Sequence, residues 1–575
     1  AQAILARALL CSKRSSGAAV ALHTMATLWR IALAALCCCS PATDAATAAA
    51  AAEAAAANGS RCASREECLG RAVVADSTGD EAYALLQRAA APAGNLFSEN
   101  PMGSYIGSLP SWARQGQAAR EMSWEKVDRE QPQPFFWDAP VDHFAPPWET
   151  KATFRQTYFV KEDYYSHGGP VFFELGGEGP IEGPPDGFIE ALAKERQAML
   201  VVVEHRFYGG SVPNGNVNTS NLKLLTIDQV LADYASFIDW FSKEKQLVAG
   251  TKWFAFGGSY PGALASWFRA AYPEITAGSL SSSGVVNSIF DFTMFDIHIA
   301  RAIGPECAAA NRAITAAFEK AVLARGAQEE YAKGLFGCQQ STLDGDFFYM
   351  LADGLAMMVQ YGAKSRLCSN ITAVTEVSST PEQIMENAAH IVKQYWGRKF
   401  GTMCFYDTTC LSDPSRYEVG DTARSWRWQM CYELAYFQSA PLAGQMEDGT
   451  RMLQPLRSFM VNMTYMVEQC YAIFGSDFNP VRGVVDFSTR RINARFGGAQ
   501  PIAKKVFYSN FGDDPWLEAS VMPPRDVDPE QPYEVAMCDD CGHCMDFSTP
   551  RQKDPPELKR VRARFQKYLD LWLAQ

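Results

Sequence analysis

Hydrophobic positions fall into two textures along the chain. From Phe135 to about Ser288, short apolar runs such as "TFRQTYFV", "PVFFELGGEGP" and "AMLVVVEHRFYG" are bounded by glycine and proline, which predicts strands. The unbroken "MLVVV" suits a parallel strand covered on both faces. Helical spacing alternates with these runs, as in "TIDQVLADYASFIDWF", with Asp228 and Asp233 on its polar side. Such alternation predicts an α/β sheet. Beyond Ser288 the strand texture stops, and "CAAANRAITAAFEKAVLARG", "MLADGLAMMVQYG" and "PEQIMENAAHIVKQYW" carry helical periodicity. Strand texture returns at "KKVFYSN", and the amphipathic "LKRVRARFQKYLDLWLA" closes the chain.

With 575 residues the chain exceeds the size of a single core, so two packed units with terminal extras are expected. The expected divisions are a leader and signal peptide (1–45), a low-complexity candidate pro-segment (46–130), the first part of an α/β domain (131–288), a helical insertion (289–485) and the second part of the α/β domain (486–575). The first methionine, Met25, opens "MATLWRIALAALCCCSPATDA": a charge at Arg30, a short apolar run, then small residues. That is the layout of a signal peptide, too short to span a membrane. Residues 1–24 are expected to be translated leader or a gene-model extension, a transit peptide around Arg7, Lys13 and Arg14 being the lesser reading.

A net charge of −12 and the lack of a basic stripe argue against nucleic acid or an anionic membrane as partner. Of the 16 cysteines, twelve lie from Cys62 onward. An even number behind a signal peptide predicts disulfides and the secretory pathway, with the product secreted or lysosomal/vacuolar. Sequons at Asn58, Asn218, Asn370 and Asn462 agree. No cofactor is called for, no further run is long enough to cross a bilayer, and the assembly state is left open, a homodimer included.

The chemistry centres on "WFAFGGSYPGALASWFR", a strand, two glycines and a helix, with Ser259 in the turn. Two readings compete: a nucleophile elbow and an ordinary glycine-rich connection. Gly257 fits G-x-S-x-G, but Pro261 stands where the second glycine belongs and could tilt the first helical turn. The N–H of Tyr260, which an oxyanion hole needs, survives. In a hydrolase of this kind the acid and then the base follow the serine. Only His298, His390 and His543 do, and the first two lie in helical patterns where a partly buried or solvent-facing histidine is the default. His543 stands in the loop "CDDCGHCMDF", and "KKVFYSNFGDDPW" offers Asp513 or Asp514 upstream of it.

"APVDHF", "GPVFFELGGEGPI", "VVEHRFYGGSVP", "LTIDQVLADYASFI", "FGGSYPGALASWFR", "SNFGDDPW" and "GHCMDF" resemble, in order, the landmarks of the serine exopeptidases comprising prolyl carboxypeptidase, dipeptidyl peptidase II and thymus-specific serine protease. The resemblance covers roughly residues 135–575, and "WRWQMCYELAYFQS" with "EQCYAIFG" is most similar to the thymus-specific branch. It implies an α/β-hydrolase fold with a large inserted helical lid, and Ser259, Asp514 and His543 as the triad. It further implies a serine-type exopeptidase acting on short peptides with preference for cleavage after proline. Tyr260 and Gly177 are the expected oxyanion donors, Gly177 by fold analogy. Glu204, with His205 and Arg206, reads either as a buried charge network or as a grip on a peptide terminus. Trp428, Gln429, Glu433 and Phe437 read as core packing, and the resemblance adds a substrate pocket. "CDDCGHC" departs from the family pattern and has a zinc site as its minor reading. An esterase or lipase, or a catalytically silent binding protein, would share the fold; the intact triad argues against the latter.

Overall fold

The computed structural model describes residues 132–149, 151–441, 455–475, 484–523 and 528–575. The expectations for the leader, the pro-segment and Asn58 lie outside the described residues. Within them the strands are β1 (Phe135–Pro140), β2 (Thr153–Lys161), β3 (Val171–Leu175), β4 (Met199–Val203), β5 (Trp253–Gly258), β6 (Gly278–Ser282), β7 (Ile289–Asp291), β8 (Ala435–Phe437), β9 (Val506–Phe511) and β10 (Tyr533–Ala536). Eight of them form one sheet, in the order β1-β2-β4-β3-β5-β6-β9-β10. The β1–β2 and β2–β4 pairs are antiparallel and the rest parallel.

Side chains alternate across the central strands, as the pleat requires. Val171, Phe173 and Leu175 join one core together with Met199, Val201 and Val203. Phe172 and Leu200 join the other, with Phe254, Phe256, Phe507 and Phe565. "MLVVV" is buried throughout, as an unbroken apolar run demands. Helix α1 (Gly187–Arg196) and the C-terminal helix α12 (Pro556–Leu573) supply buried residues to the second core. Helices α2 (Ile227–Glu244) and α3 (Tyr260–Ala271) supply them to the first.

Between β6 and β9 lie α4 (Met294–Ala324), α5 (Ala327–Gly334), α6 (Asp344–Gln360), α7 (Lys364–Val377), α8 (Pro381–Trp396), α9 (Ala423–Gln429), α10 (Met463–Phe474) and α11 (Val484–Phe496). Helix α4 breaks at Gly304, where φ is 73°, ahead of Pro305, a residue that cannot complete the helical ladder. Cys307–Cys368, Cys404–Cys410 and Cys431–Cys470 cross-link this insertion. The architecture is an α/β-hydrolase fold with an inserted helical lid.

Two expectations need correction. Strand texture does not end at Ser288: β7 and β8 pair in parallel and close the base of the insertion, and three residues apiece are too short to show a period. Asp233 is not on a polar face. It is buried, bridged by both sides of the Arg206 guanidinium at 2.6 and 2.7 Å and by His143 at 2.7 Å. A buried ion pair of this kind leaves no trace in a hydropathy pattern.

Candidate active site

Strand β5 runs into Gly257 and Gly258, and Ser259 follows at φ 64° and ψ −128° before α3 begins. A non-glycine residue tolerates this backbone only where its surroundings over-determine it. Here Ser259 N donates to Ser282 O at 2.9 Å and Ser259 O accepts from Ala263 N at 3.1 Å. The small neighbours are obligatory: a Cβ on Gly257 would lie 2.0 Å from Pro261 O, and one on Gly262 would lie 2.8 Å from Ser282 O. Pro261 takes the second position of α3, where its missing N–H has no acceptor to lose. Its ring packs against Gly177, where a Cβ would come within 2.3 Å of Pro261 Cγ. The backbones of Gly177 and Tyr260, the two expected oxyanion donors, therefore flank the serine, one on the loop after β3 and one at the α3 N-terminus.

After β9, Asp514 caps a short 3₁₀ turn with Pro515 at its first position: Oδ1 accepts from Trp516 N at 3.0 Å. This leaves Oδ2 to His543 Nδ1, at 2.7 Å. Asp513 turns the other way, to Lys364 Nζ at 3.0 Å. Of the two neighbouring carboxylates only Asp514 meets the imidazole. His543 is fixed from the lid, since its N–H donates to Gln360 O at 2.6 Å and the ring meets Tyr361 edge-on. Gly542 permits that approach, as a Cβ there would sit 2.4 Å from Gln360 O. Burial opposes a charged imidazole, but Asp514 overrides it, so the His543 pKa lies well above its ordinary value. His543 Nε2 is buried without a hydrogen-bond partner among the described residues. Cys538 and Cys541 form a disulfide, which removes two thiolates from any zinc reading, and Cys544 stays a thiol.

Behind the turn runs a hydrogen-bond chain across the sheet and lid. Tyr208 Oη donates to Gln429 Oε1 (2.5 Å), Gln429 Nε2 donates to Tyr260 Oη (2.7 Å), and Tyr260 pairs with His205 Nε2 (3.1 Å). His205 Nδ1 pairs with Arg206 O at 2.6 Å, which makes it the protonated nitrogen and leaves Nε2 to accept from Tyr260. Burial lowers the His205 pKa to about 4. Glu204 braces the loop after β3: its carboxylate accepts from Ile181 N, Gly210 N and Ser211 Oγ.

Two cavities meet at Ser259 and Glu178. The outer one is lined by the loop Gly176–Asp186 together with Pro261, His543 and Phe547. The inner one is walled by aromatics from the lid and β9 side, Tyr349, Tyr361, Phe405, Trp426, Tyr436 and Trp516, with Asp353, Gln360 and Gln438 among them. Glu204, Trp428, Glu433 and Phe437 line neither. Trp428 stacks on Tyr432 at 3.8 Å, and Phe437 packs on Phe290. Glu433 accepts from Ile227 N and Arg491, and burial raises its pKa to about 7. Their neighbours Trp426, Tyr436 and Gln438 face the cavity instead. Sequence reasoning missed Asp353 and Gln360, although two polar residues inside the apolar "MLADGLAMMVQYG" were a visible signal. Asn218 and Asn462 are exposed, Asn370 is half-buried on α7, and no helix among the described residues is long and apolar enough to cross a membrane.

Comparison with known proteins agrees with this geometry. The chain is 33% identical to the probable serine protease EDA2 of Arabidopsis thaliana over 76% of this chain and 87% of that one. It is 29% identical to the thymus-specific serine protease of Mus musculus (76% and 86%) and 25% identical to the lysosomal Pro-X carboxypeptidase of Bos taurus (76% and 86%). The family described as serine carboxypeptidase S28 matches residues 139–565, and the chain belongs to that family of serine peptidases.

Proposed function

We propose that Ser259, His543 and Asp514 form the catalytic triad of an exopeptidase that acts on short peptides, with preference for cleavage after proline. The observation that carries the reading is Ser259 held at φ 64° where two cavities join, with His543, paired to Asp514, lining the outer one. Ser259 Oγ attacks the scissile carbonyl while His543 Nε2 takes its proton, and Asp514 holds the tautomer and stabilises the imidazolium. His543 returns the proton to the leaving amine as the C–N bond breaks, and water then cleaves the acyl-enzyme by the same steps. The N–H groups of Tyr260 and Gly177 take the charge that develops on the carbonyl oxygen.

The lid supports exopeptidase action, because a roofed chamber admits a chain end more readily than the middle of a folded polypeptide. Its aromatic walls suit a compact proline ring, and one relative is named a Pro-X carboxypeptidase. Four disulfides among the described residues fit the secretory pathway, with the product secreted or lysosomal. Incubation with a peptide library, read by mass spectrometry, should give cuts near one terminus with proline at the cleaved bond. Internal cleavage of casein at bonds far from either end would sink the roofed-site reading. Failure of a fluorophosphonate probe to label Ser259 would favour a silent binding protein, and turnover of esters alone would favour an esterase.

A further inference from the structure

Strand β10 ends at Ala536, and the chain reaches His543 through "MCDDCG", whose two cysteines are joined as a disulfide. The aspartates between them both hold the lid. Asp539 Oδ1 accepts from Lys364 Nζ at 2.8 Å, and Asp540 Oδ1 accepts from Ser365 N at 2.9 Å. Helix α7 begins after Ala363, whose side chain cannot cap it, so Asp540 supplies the missing acceptor from across the contact. The backbones meet here too: Gly362 sits at φ 71°, and a Cβ on it would lie 2.7 Å from Asp540 O. On its other side the loop meets the triad acid's turn. Cys541 O accepts from Asp513 N at 3.2 Å, and Lys364 closes the circuit by reaching Asp513 Oδ1 at 3.0 Å.

The loop from Cys538 to Cys541 therefore sets the spacing of the imidazole that follows it, the turn that holds Asp514 and the start of α7. No helix or strand includes residues 537–544, and Asp540 and Cys544 stand at φ 57° and 54°. Residues other than glycine keep such a backbone only where their surroundings impose it. The disulfide is the covalent part of that constraint, and it is reachable. Cys541 is fully buried, but Cys538 is half-buried between the exposed Met537 and Asp539.

We infer that the Cys538–Cys541 bond is a redox switch on the acid–base pair: closed, it holds His543 and Asp514 in register under the lid, and a dithiol reductant that opens it slows catalysis reversibly. The inference rests on the triad assigned above. One thiolate of the dithiol attacks Cys538 Sγ, forming a mixed disulfide and releasing Cys541 as a thiolate that takes up a proton. The second thiol of the reductant then displaces Cys538, so the pair gains two electrons and two protons and the reductant leaves as its own disulfide. An oxidising compartment keeps the bond closed. Neither Cys538 nor Cys541 lines either cavity, so the walls that bind substrate stay in place and the loss falls on kcat. Covalent closure of so short a loop favours the closed form by roughly 20-fold, which sets the size of that loss.

The test uses the full-length protein under limited reduction with dithiothreitol. At each time point three quantities are read: the rate of fluorophosphonate labelling at Ser259, kcat and KM on a proline-containing peptide, and the freed thiols, alkylated and mapped by mass spectrometry. Labelling rate and kcat should fall together by about 10- to 20-fold, in proportion to the fraction of Cys538 and Cys541 alkylated. KM should stay within about twofold, and reoxidation should restore both rates. Cys538→Ser/Cys541→Ser should start at the reduced level and no longer respond to dithiothreitol. The inference is overturned if the bond opens with no change in labelling rate, if it stays closed while activity falls, or if the loss follows opening of Cys307–Cys368, Cys404–Cys410 or Cys431–Cys470 instead. Each of those results leaves the peptidase reading standing. The measurements on the unaltered protein decide the matter even where the double variant does not fold. Failure of the oxidised protein to label at Ser259 refutes the peptidase reading itself, and this inference with it.

Discussion

His205 makes acid a structural threat to the catalytic turn. It is fully buried, and its pKa of about 4 against about 6.5 in an unfolded chain means that the native state refuses a proton the unfolded state accepts. Between those values the unfolded form binds more protons, so stability falls as pH falls from 6.5 towards 4 and is unaffected above it. A displacement of about 2.5 pKa units is worth about 3.4 kcal/mol in full, and about 2 kcal/mol of it is lost by pH 5. Charging Nε2 also removes the acceptor for Tyr260 Oη, and with it the His205 end of the hydrogen-bond chain behind the turn. The assay is denaturant unfolding at pH 7 and pH 5 for the native protein and His205→Gln, which offers Tyr260 an uncharged acceptor. The variant is expected to start less stable at pH 7, yet to lose about 2 kcal/mol less than the native protein between the two pH values. Taking the difference between the two proteins cancels Glu433, whose raised pKa acts with the opposite sign between about 4.5 and 7. Equal losses in both proteins would refute the reasoning.

Ser259→Ala, His543→Ala and Asp514→Asn should each lower turnover by several orders of magnitude, with Ser259→Ala/His543→Ala scarcely worse than either alone, because triad members act as a unit. Asp513→Asn should be mild, since Asp513 holds Lys364 and not the imidazole; the reverse ranking in steady-state assays shows the acid to be misassigned. In Asp514→Asn the ascending limb of the kcat/KM profile should move to lower pH, because the carboxylate is what favours the charged imidazole; an unmoved limb contradicts this. Gly177→Ala drives a methyl into Pro261 and should cost about 10²–10³ in kcat if the Gly177 N–H serves the oxyanion; unchanged kcat removes it from the hole. Alkylation of denatured, unreduced protein should mark Cys338 and Cys544 and spare the eight bridged cysteines, as peptide mapping will show.

Much of this was legible because the chemistry is local. The turn at Ser259 needs glycines next to it in sequence, and Asp514 needs Pro515 beside it to start a capped turn, so short motifs carry both. Order along the chain then singled out His543. The pocket was harder to read because helix α9 presents only some of its faces. Trp428 and Trp426 differ by two positions, and about 200° of helix rotation separates core from cavity. Asp353 escaped for another reason. A hydropathy pattern records that a polar residue interrupts an apolar helix, and only the packing of α6 against the other lid helices shows what that residue faces.

The backbone of Gln360 grips His543, and Lys364 grips the residue beside Asp514, so the insertion reaches both halves of the acid–base pair. It is less a cover than a missing wall of the reaction vessel. A molecule whose sheet has formed but whose inserted helices have not would carry every reactive group and no working geometry. For a peptidase made in the company of other unfolded chains, that arrangement is a safeguard: newly made copies stay chemically silent until their own folding is finished.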